Sequence, residues 1–285
     1  MEPTNSSEDV NGGDNSDRGP RLREIPRRLL IPNVITVLAI CAGLTGVRLA
    51  YEGRFEMAVM MVLVAAFLDG LDGRAARLLK AQTNFGAQLD SLADAINFGV
   101  VPALVLHAYL LHIAPSIGWV AALLYAISNV LRLARFNVML EREERQVWED
   151  AFFLGVPAPL GALLVLLPLY LGFLGIEASM TFAVIASLYT MVIAFLLISR
   201  VPVFSGKDMG QSIRRDRFLP IILVAVLYVW LLASFTWQTL TLTTLAYLLS
   251  LPFGAYVWSK RYGARSPQLD EDASLDQRRS PKKKK

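Results

Sequence analysis

Four aspartates stand where an apolar chain has little use for charge. The segment FLDGLDGRAARLLKAQTNFGAQLDSLADAINFG holds Asp69, Asp72, Asp90 and Asp94 within or beside long apolar runs. An ionised Asp at the centre of a membrane helix costs roughly 2.5–3.5 kcal/mol, so four cost on the order of 10 kcal/mol and need compensation. Helical spacing supplies it. Asp69 and Asp72 are separated by i, i+3, about 60° on a 3.6-residue helix, and Gly73, Ala76 and Arg77 continue that face. Gly86, Asp90 and Asp94 recur at i, i+4, i+8 on a second helix, joined to the first by a short linker. Antiparallel neighbours of this kind bring their acidic faces together. Converging carboxylates suit hard divalent cations, Mg²⁺ or Mn²⁺, with Ca²⁺ sharing the oxygen preference. Their charge matches two ions, and two ions about 3.5–4 Å apart clamp an in-line phosphoryl displacement. Gly73 and Ala76 leave room for a bulky ligand, and Arg77 offers a bidentate donor to phosphate. A lone Asp at a helix end is often a cap, and small residues on a membrane helix often mark packing. All four acids in one register, with Gly and Arg interleaved, favour the metal reading.

The elements that carry these residues are membrane spans. Of 285 residues, 54% are hydrophobic and 18% charged, with mean hydropathy +0.45. That excludes a disordered chain, a disulfide scaffold and an ordinary cytosolic enzyme. Cys41 is the only cysteine, so no intrachain disulfide forms. Eight apolar runs approach the roughly 20 residues needed to cross a bilayer: 29–50, 56–79, 85–113, 117–138, 152–174, 178–198, 218–235 and 237–258. The expected fold is an all-α polytopic bundle. Of 28 basic residues, 26 fall in the tails or in the connections after spans two, four and six. The positive-inside rule then places both termini in the cytoplasm, and the net charge of +4 reports topology rather than nucleic acid. Residues 1–20 are too polar to fold. The stretch 21–31 suits the membrane interface or plain positive anchoring, and no cleaved signal peptide is expected. Residues 21–210 form the expected catalytic membrane domain, 211–259 two further spans, and 260–285 a basic tail.

The acidic segment resembles the CDP-alcohol phosphotransferases, whose hallmark is D-x2-D-G-x2-A-R-x8-G-x3-D-x3-D. Asp69, Asp72, Gly73, Ala76, Arg77, Gly86, Asp90 and Asp94 match it at every spacing. IPNVIT (Pro32, Asn33, Thr36), LRLARFNV (Arg132, Arg135, Asn137), GVPAP (Gly155, Pro157) and SRVPVFSGK (Arg200, Ser205, Lys207) extend the likeness to roughly residues 25–210. These runs are most similar to the integral-membrane branch of the family that uses serine. The resemblance implies a six-span core, with the last two spans as an addition, and a homodimer whose site opens to cytoplasm and lipid. It implies that Asp69, Asp72, Asp90 and Asp94 hold two Mg²⁺ or Mn²⁺ ions, with Asp94 also the general base. Asn33, Thr36, Gly73, Ala76, Arg77, Thr83 and Gly86 are the expected contacts to CDP-diacylglycerol.

The implied reaction transfers the phosphatidyl group of CDP-diacylglycerol to the hydroxyl of L-serine, giving phosphatidylserine and CMP at the cell membrane. Serine carries a carboxylate that needs a cation, and Arg135 and Lys207 are the candidate anchors. Glu141–Glu149 reads as a solvated charged loop. The nearest alternative keeps the chemistry and changes the acceptor to choline, glycerol phosphate or inositol phosphate. A prenyltransferase normally carries a second Asp-rich motif, which is absent from this sequence. A cation transporter does not need Gly73, Ala76 and Arg77 in register with the acids.

Overall fold

The computed structural model describes residues 27–140, 152–154, 156–199, 202–204 and 215–262, and helix dominates these segments. Helix α1 spans Arg27–Tyr51, α2 Phe55–Leu78 and α3 Asn84–Asp94. A π-helical turn, Ala95–Val100, carries α3 without interruption into α4, Val101–Tyr109. A short 3₁₀ turn leads to α5, Pro115–Leu140; then come α6, Ala158–Val165, α7, Leu167–Phe173, and α8, Met180–Ile198. Helices α9, Arg215–Ser234, and α10, Thr236–Tyr262, complete the bundle. Two three-residue strands, β1 Phe152–Leu154 and β2 Pro202–Phe204, pair antiparallel with Phe153 opposite Val203.

Each expected span has a helical counterpart, so the chain is a polytopic helical membrane protein. The segments Leu30–Tyr51, Asn84–Tyr109, Pro115–Met139 and Met180–Ile198 are each long and apolar enough to cross a membrane. Helix α2 is comparably long, and Asp69, Asp72, Arg74 and Arg77 at its C-terminal end set it apart. Two expected spans are not continuous helices. The run 152–174 becomes helical only at Ala158, because Pro157 is extended (φ −55°, ψ 143°). It breaks again at Leu166, two residues before Pro168, whose ring has no N–H and collides with the preceding helical turn. The run 85–113 contains the π turn.

Helix α1 packs along α2, and α5 along α8. Tyr125, Leu106, Leu110, Leu164, Leu169, Tyr170 and Ile193 are fully or almost fully buried at the centre. Val34, Leu38, Phe67, Ile127, Ile185 and Phe195 point outward, as suits side chains that face lipid. Helix α9 exposes apolar residues from Ile221 to Trp230 on all sides, the pattern of a lipid-surrounded helix. Helix α10 instead joins the core. It packs on α7 and α6, buries Leu240, Thr241 and Thr244, and sets Trp237 against Phe173 with ring centroids 4.4 Å apart.

The turn between α2 and α3 is built tightly. Ala81 N–H reaches back to the Ala76 carbonyl at 2.9 Å, and Lys80 takes the left-handed conformation (φ +50°) that ends many helices. The chain thereby reverses, and Thr83 caps α3 by accepting from Gly86 N–H at 3.0 Å.

Candidate active site

The reversal brings the two acidic faces together. One carboxylate oxygen from each of Asp69, Asp90 and Asp94 lies within 4.8 Å of the others. Asp69 and Asp94 are close enough to share a hydrogen bond. Asp72 stands beside this trio, 3% exposed, and Thr36 of α1 donates to its Oδ2 at 2.6 Å. The Thr36 hydroxyl also lies 3.1 Å from the Pro32 carbonyl, one turn earlier on its own helix. Asp72 Oδ1 is buried with no hydrogen-bond partner among the described residues. Carboxylates packed this closely repel, and a buried unpartnered carboxylate oxygen is costly. A divalent cation relieves both, and hard oxygen donors are what Mg²⁺ and Mn²⁺ prefer. The residues present therefore fit the expected metal.

A cleft of about 440 Å³ opens beside the acids. Asp72 and Asp90 form its acidic end, Gly73, Ala76 and Arg77 its α2 wall, and Asn33 and Thr36 its α1 wall. Thr83 and Gly86 close it from the linker and α3. All seven expected CDP-lipid contacts therefore line one cleft. Gly73 has open space where a Cβ would project, with no atom within 4 Å. Gly86 is the opposite case: a Cβ there would stand 3.0 Å from Asn33 Oδ1 and 3.1 Å from Thr83 Oγ1. Its lack of a side chain lets α1 and α3 approach. The Arg77 Nε donates to the Gly73 carbonyl at 3.0 Å, which holds the guanidinium stem along the cleft wall.

Pro32 of the IPNVIT run also lines the cleft, and the sequence reading missed four further lining residues: Ala81, Gln82, Asn84 and Ala87. Their positions between matched motif residues are the signal that would have found them. The reading also missed how α3 is held. The π turn places the Phe98 carbonyl where two buried α5 side chains reach it: Tyr125 Oη at 2.8 Å and Asn129 Nδ2 at 2.7 Å. Further along, Asn137 Nδ2 donates to Ser91 Oγ at 3.0 Å. These bonds fix α3 against α5 on both sides of Asp94. Arg135 is not among the residues that line the cleft; its Nη1 donates to the Ile198 carbonyl at the end of α8, at 2.9 Å. Lys207, Arg200, Ser205 and Gly155, the acidic run 141–149 and both tails lie outside the described residues.

Four acids gathered beside such a cleft define a helical membrane protein with a polar, carboxylate-rich site. The CDP-alcohol phosphatidyltransferase pattern matches residues 29–198, and the chain belongs to that family. A second pattern, CDP-alcohol phosphatidyltransferase 2, matches residues 217–252, so the last two spans are also related to known sequence. The chain is 40% identical over 258 residues to a CDP-diacylglycerol–serine O-phosphatidyltransferase of Mycobacterium leprae, covering 89% of this chain and 83% of that one. It is 38% identical over 259 residues to the protein of that name in Mycobacterium tuberculosis H37Rv, covering 91% and 89%. A Bacillus subtilis protein of the same name is 36% identical over 138 residues, covering 48% of this chain and 74% of that one.

Proposed function

We propose that this enzyme transfers the phosphatidyl group of CDP-diacylglycerol to L-serine, releasing CMP. The observation that carries the reading is the convergence of Asp69, Asp90 and Asp94 beside a cleft lined by the matched motif residues. The names of the long mycobacterial relatives support serine as the acceptor. In the proposed site Asp69, Asp72, Asp90 and Asp94 hold two divalent cations. When bound, these supply positive charge against the diphosphate and the departing nucleotide.

The chain's own groups do the rest. Arg77 and the backbone around Gly73 receive the diphosphate, and Asn33, Thr83 and the space above Ala76 and Gly86 receive the nucleotide. Thr36 acts through Asp72, which it orients. Asp94 takes the proton from the serine hydroxyl. The serine oxygen then bonds to the phosphorus that bears the diacylglycerol, and the bond from that phosphorus to the bridging oxygen breaks. CMP leaves with the electron pair. The acyl chains stay in lipid while the nucleotide faces the cytoplasm. The distribution of basic residues supports cytoplasmic termini in the cell membrane, and the family resemblance supports a homodimer.

The test uses purified full-length protein in detergent with CDP-diacylglycerol and a panel of acceptors. Serine-dependent, metal-dependent release of CMP with formation of phosphatidylserine is expected. CMP release with glycerol phosphate, inositol phosphate or choline in place of serine replaces the acceptor assignment. Full activity in excess chelator removes the metal.

A further inference from the structure

The acceptor side of the site has an unclaimed set of polar groups. Two hydrogen bonds fix the register of α3 against α5: Ser91 with Asn137 and Phe98 with Asn129. The helices run antiparallel, so Asp94 falls level with Leu133 and Ala134, within two residues of Arg132, and Leu133 shares a buried apolar cluster with Phe98. Arg132 therefore sits on α5 near the proposed base, with Asp94 and the neutral Tyr247 phenol within electrostatic range of its guanidinium. It forms no ion pair with Asp94 among the described residues, and its Nε is buried with no partner among them. Six more buried side-chain atoms share that condition among the described residues, and two of them bear on Arg132. One is Asn129 Oδ1, one turn earlier on α5. The other is the hydroxyl of Tyr247, which comes from α10 on the face that buries Leu240 and Thr244.

We infer that Arg132 and Tyr247 receive the carboxylate of the amino-acid acceptor and that Asn129 Oδ1 receives its ammonium group, so that α10 is a working part of the active site. The inference rests on the serine reading above. A guanidinium fork is shaped for a carboxylate, a phenol adds a donor, and an amide oxygen accepts from an ammonium group. Together they match a zwitterion whose hydroxyl points at Asp94. Arg135 has an Nη1 committed to the Ile198 carbonyl, which makes Arg132 the better anchor. It also gives α10 a function that its packing alone does not explain.

The experiment compares L-serine with L-serinamide, which keeps the hydroxyl and the ammonium and loses the carboxylate charge. In wild-type full-length protein kcat/KM should favour serine by at least about tenfold, because a site built for a group discriminates against its absence. In Arg132→Ala that preference should fall to about one, through a raised KM for serine and an unchanged KM for CDP-diacylglycerol. Arg132→Lys should keep part of the preference and Tyr247→Phe should reduce it several-fold; these two variants read the same ratio if Arg132→Ala does not fold. An unchanged serine-to-serinamide ratio in the variants overturns the inference, since a group that merely balances the aspartates lowers turnover of both acceptors alike. Wild-type protein that turns over no serine overturns the proposed acceptor and this inference together, whereas serine turnover with an unmoved ratio overturns the inference alone.

Discussion

Thr36 on α1 donates its hydroxyl to Asp72 on α2 at 2.6 Å, and this bond joins the α1 wall of the cleft to its acidic end. Asp72 has no other side-chain donor among the described residues, since its Oδ1 is unpartnered. Removing the hydroxyl frees the carboxylate to turn. Thr36→Val keeps the shape and leaves a buried oxygen unpaired, at about 1–3 kcal/mol. Such outer partners of metal-binding carboxylates typically change metal affinity by about 10–100-fold. CMP release by Thr36→Val should therefore require at least about tenfold more Mg²⁺ or Mn²⁺, and Thr36→Ser should restore the wild-type requirement. A metal titration of initial rate decides it, and an unmoved midpoint would separate Thr36 from the metal site.

Asp94 lies between the other acids of its trio, Asp69 and Asp90, and the α5 side of the site. If it takes the acceptor proton, Asp94→Asn should lower kcat by about 10²-fold or more. The amide is nearly isosteric and relieves repulsion among the acids, so thermal unfolding in detergent should not fall. Turnover near wild type at saturating metal would remove the base assignment.

The two cleft glycines should behave oppositely. Gly73 faces open space, so Gly73→Ala suits the helix and stabilises it by roughly 0.5–1 kcal/mol. Its added methyl projects where the CDP-lipid is proposed to lie. The unfolding temperature should rise while KM for CDP-diacylglycerol increases several-fold and KM for serine stays put. Gly86→Ala instead puts a carbon 3.0 Å from Asn33 Oδ1 and disturbs the Thr83 cap, so stability and CDP-lipid binding should fall together. If Gly73→Ala leaves CDP-lipid binding untouched, the cleft is not the nucleotide site.

The site was more legible than the bundle that holds it. Asp69, Asp72, Gly73, Ala76 and Arg77 share a face because helical periodicity is fixed, and a short linker leaves the next acidic helix little choice but to return alongside. The span count followed from hydropathy for the same reason. The interruptions did not. A π turn over Ala95–Val100 leaves no hydrophobic signature, because it changes which carbonyl is free rather than which side chains are apolar. Pro157 and Pro168 were visible, yet an apolar run of spanning length hid the extended start and the break at Leu166. Arg132 and Arg135 looked alike in LRLARFNV; only the tertiary structure tells them apart, a buried Nε without a partner among the described residues for the one and a bond to the Ile198 carbonyl for the other. The burial of α10 against α7 was also not drawn from the sequence, although Thr236, Thr239, Thr241, Thr243 and Thr244 make its first half less apolar than α9.

The π turn makes the last prediction. Insertion of one residue into a helix frees a carbonyl, and at Phe98 that carbonyl is met by both Tyr125 and Asn129. Asp94 lies one turn earlier on the same helix, so the angle of its carboxylate depends on the turn being held. With one donor removed the other still satisfies the carbonyl. Tyr125→Phe or Asn129→Leu alone should therefore cost about 0.5–1.5 kcal/mol. The double variant leaves a buried carbonyl unpaired, and its destabilisation should exceed the sum of the singles by about 1 kcal/mol or more. Because Asn129 Oδ1 is also the proposed receiver of the acceptor's ammonium group, Tyr125→Phe is the cleaner kinetic probe: kcat should fall while the serine-to-serinamide ratio holds. Additive stabilities in the cycle, measured by denaturation in detergent, would show that the two donors hold the turn independently.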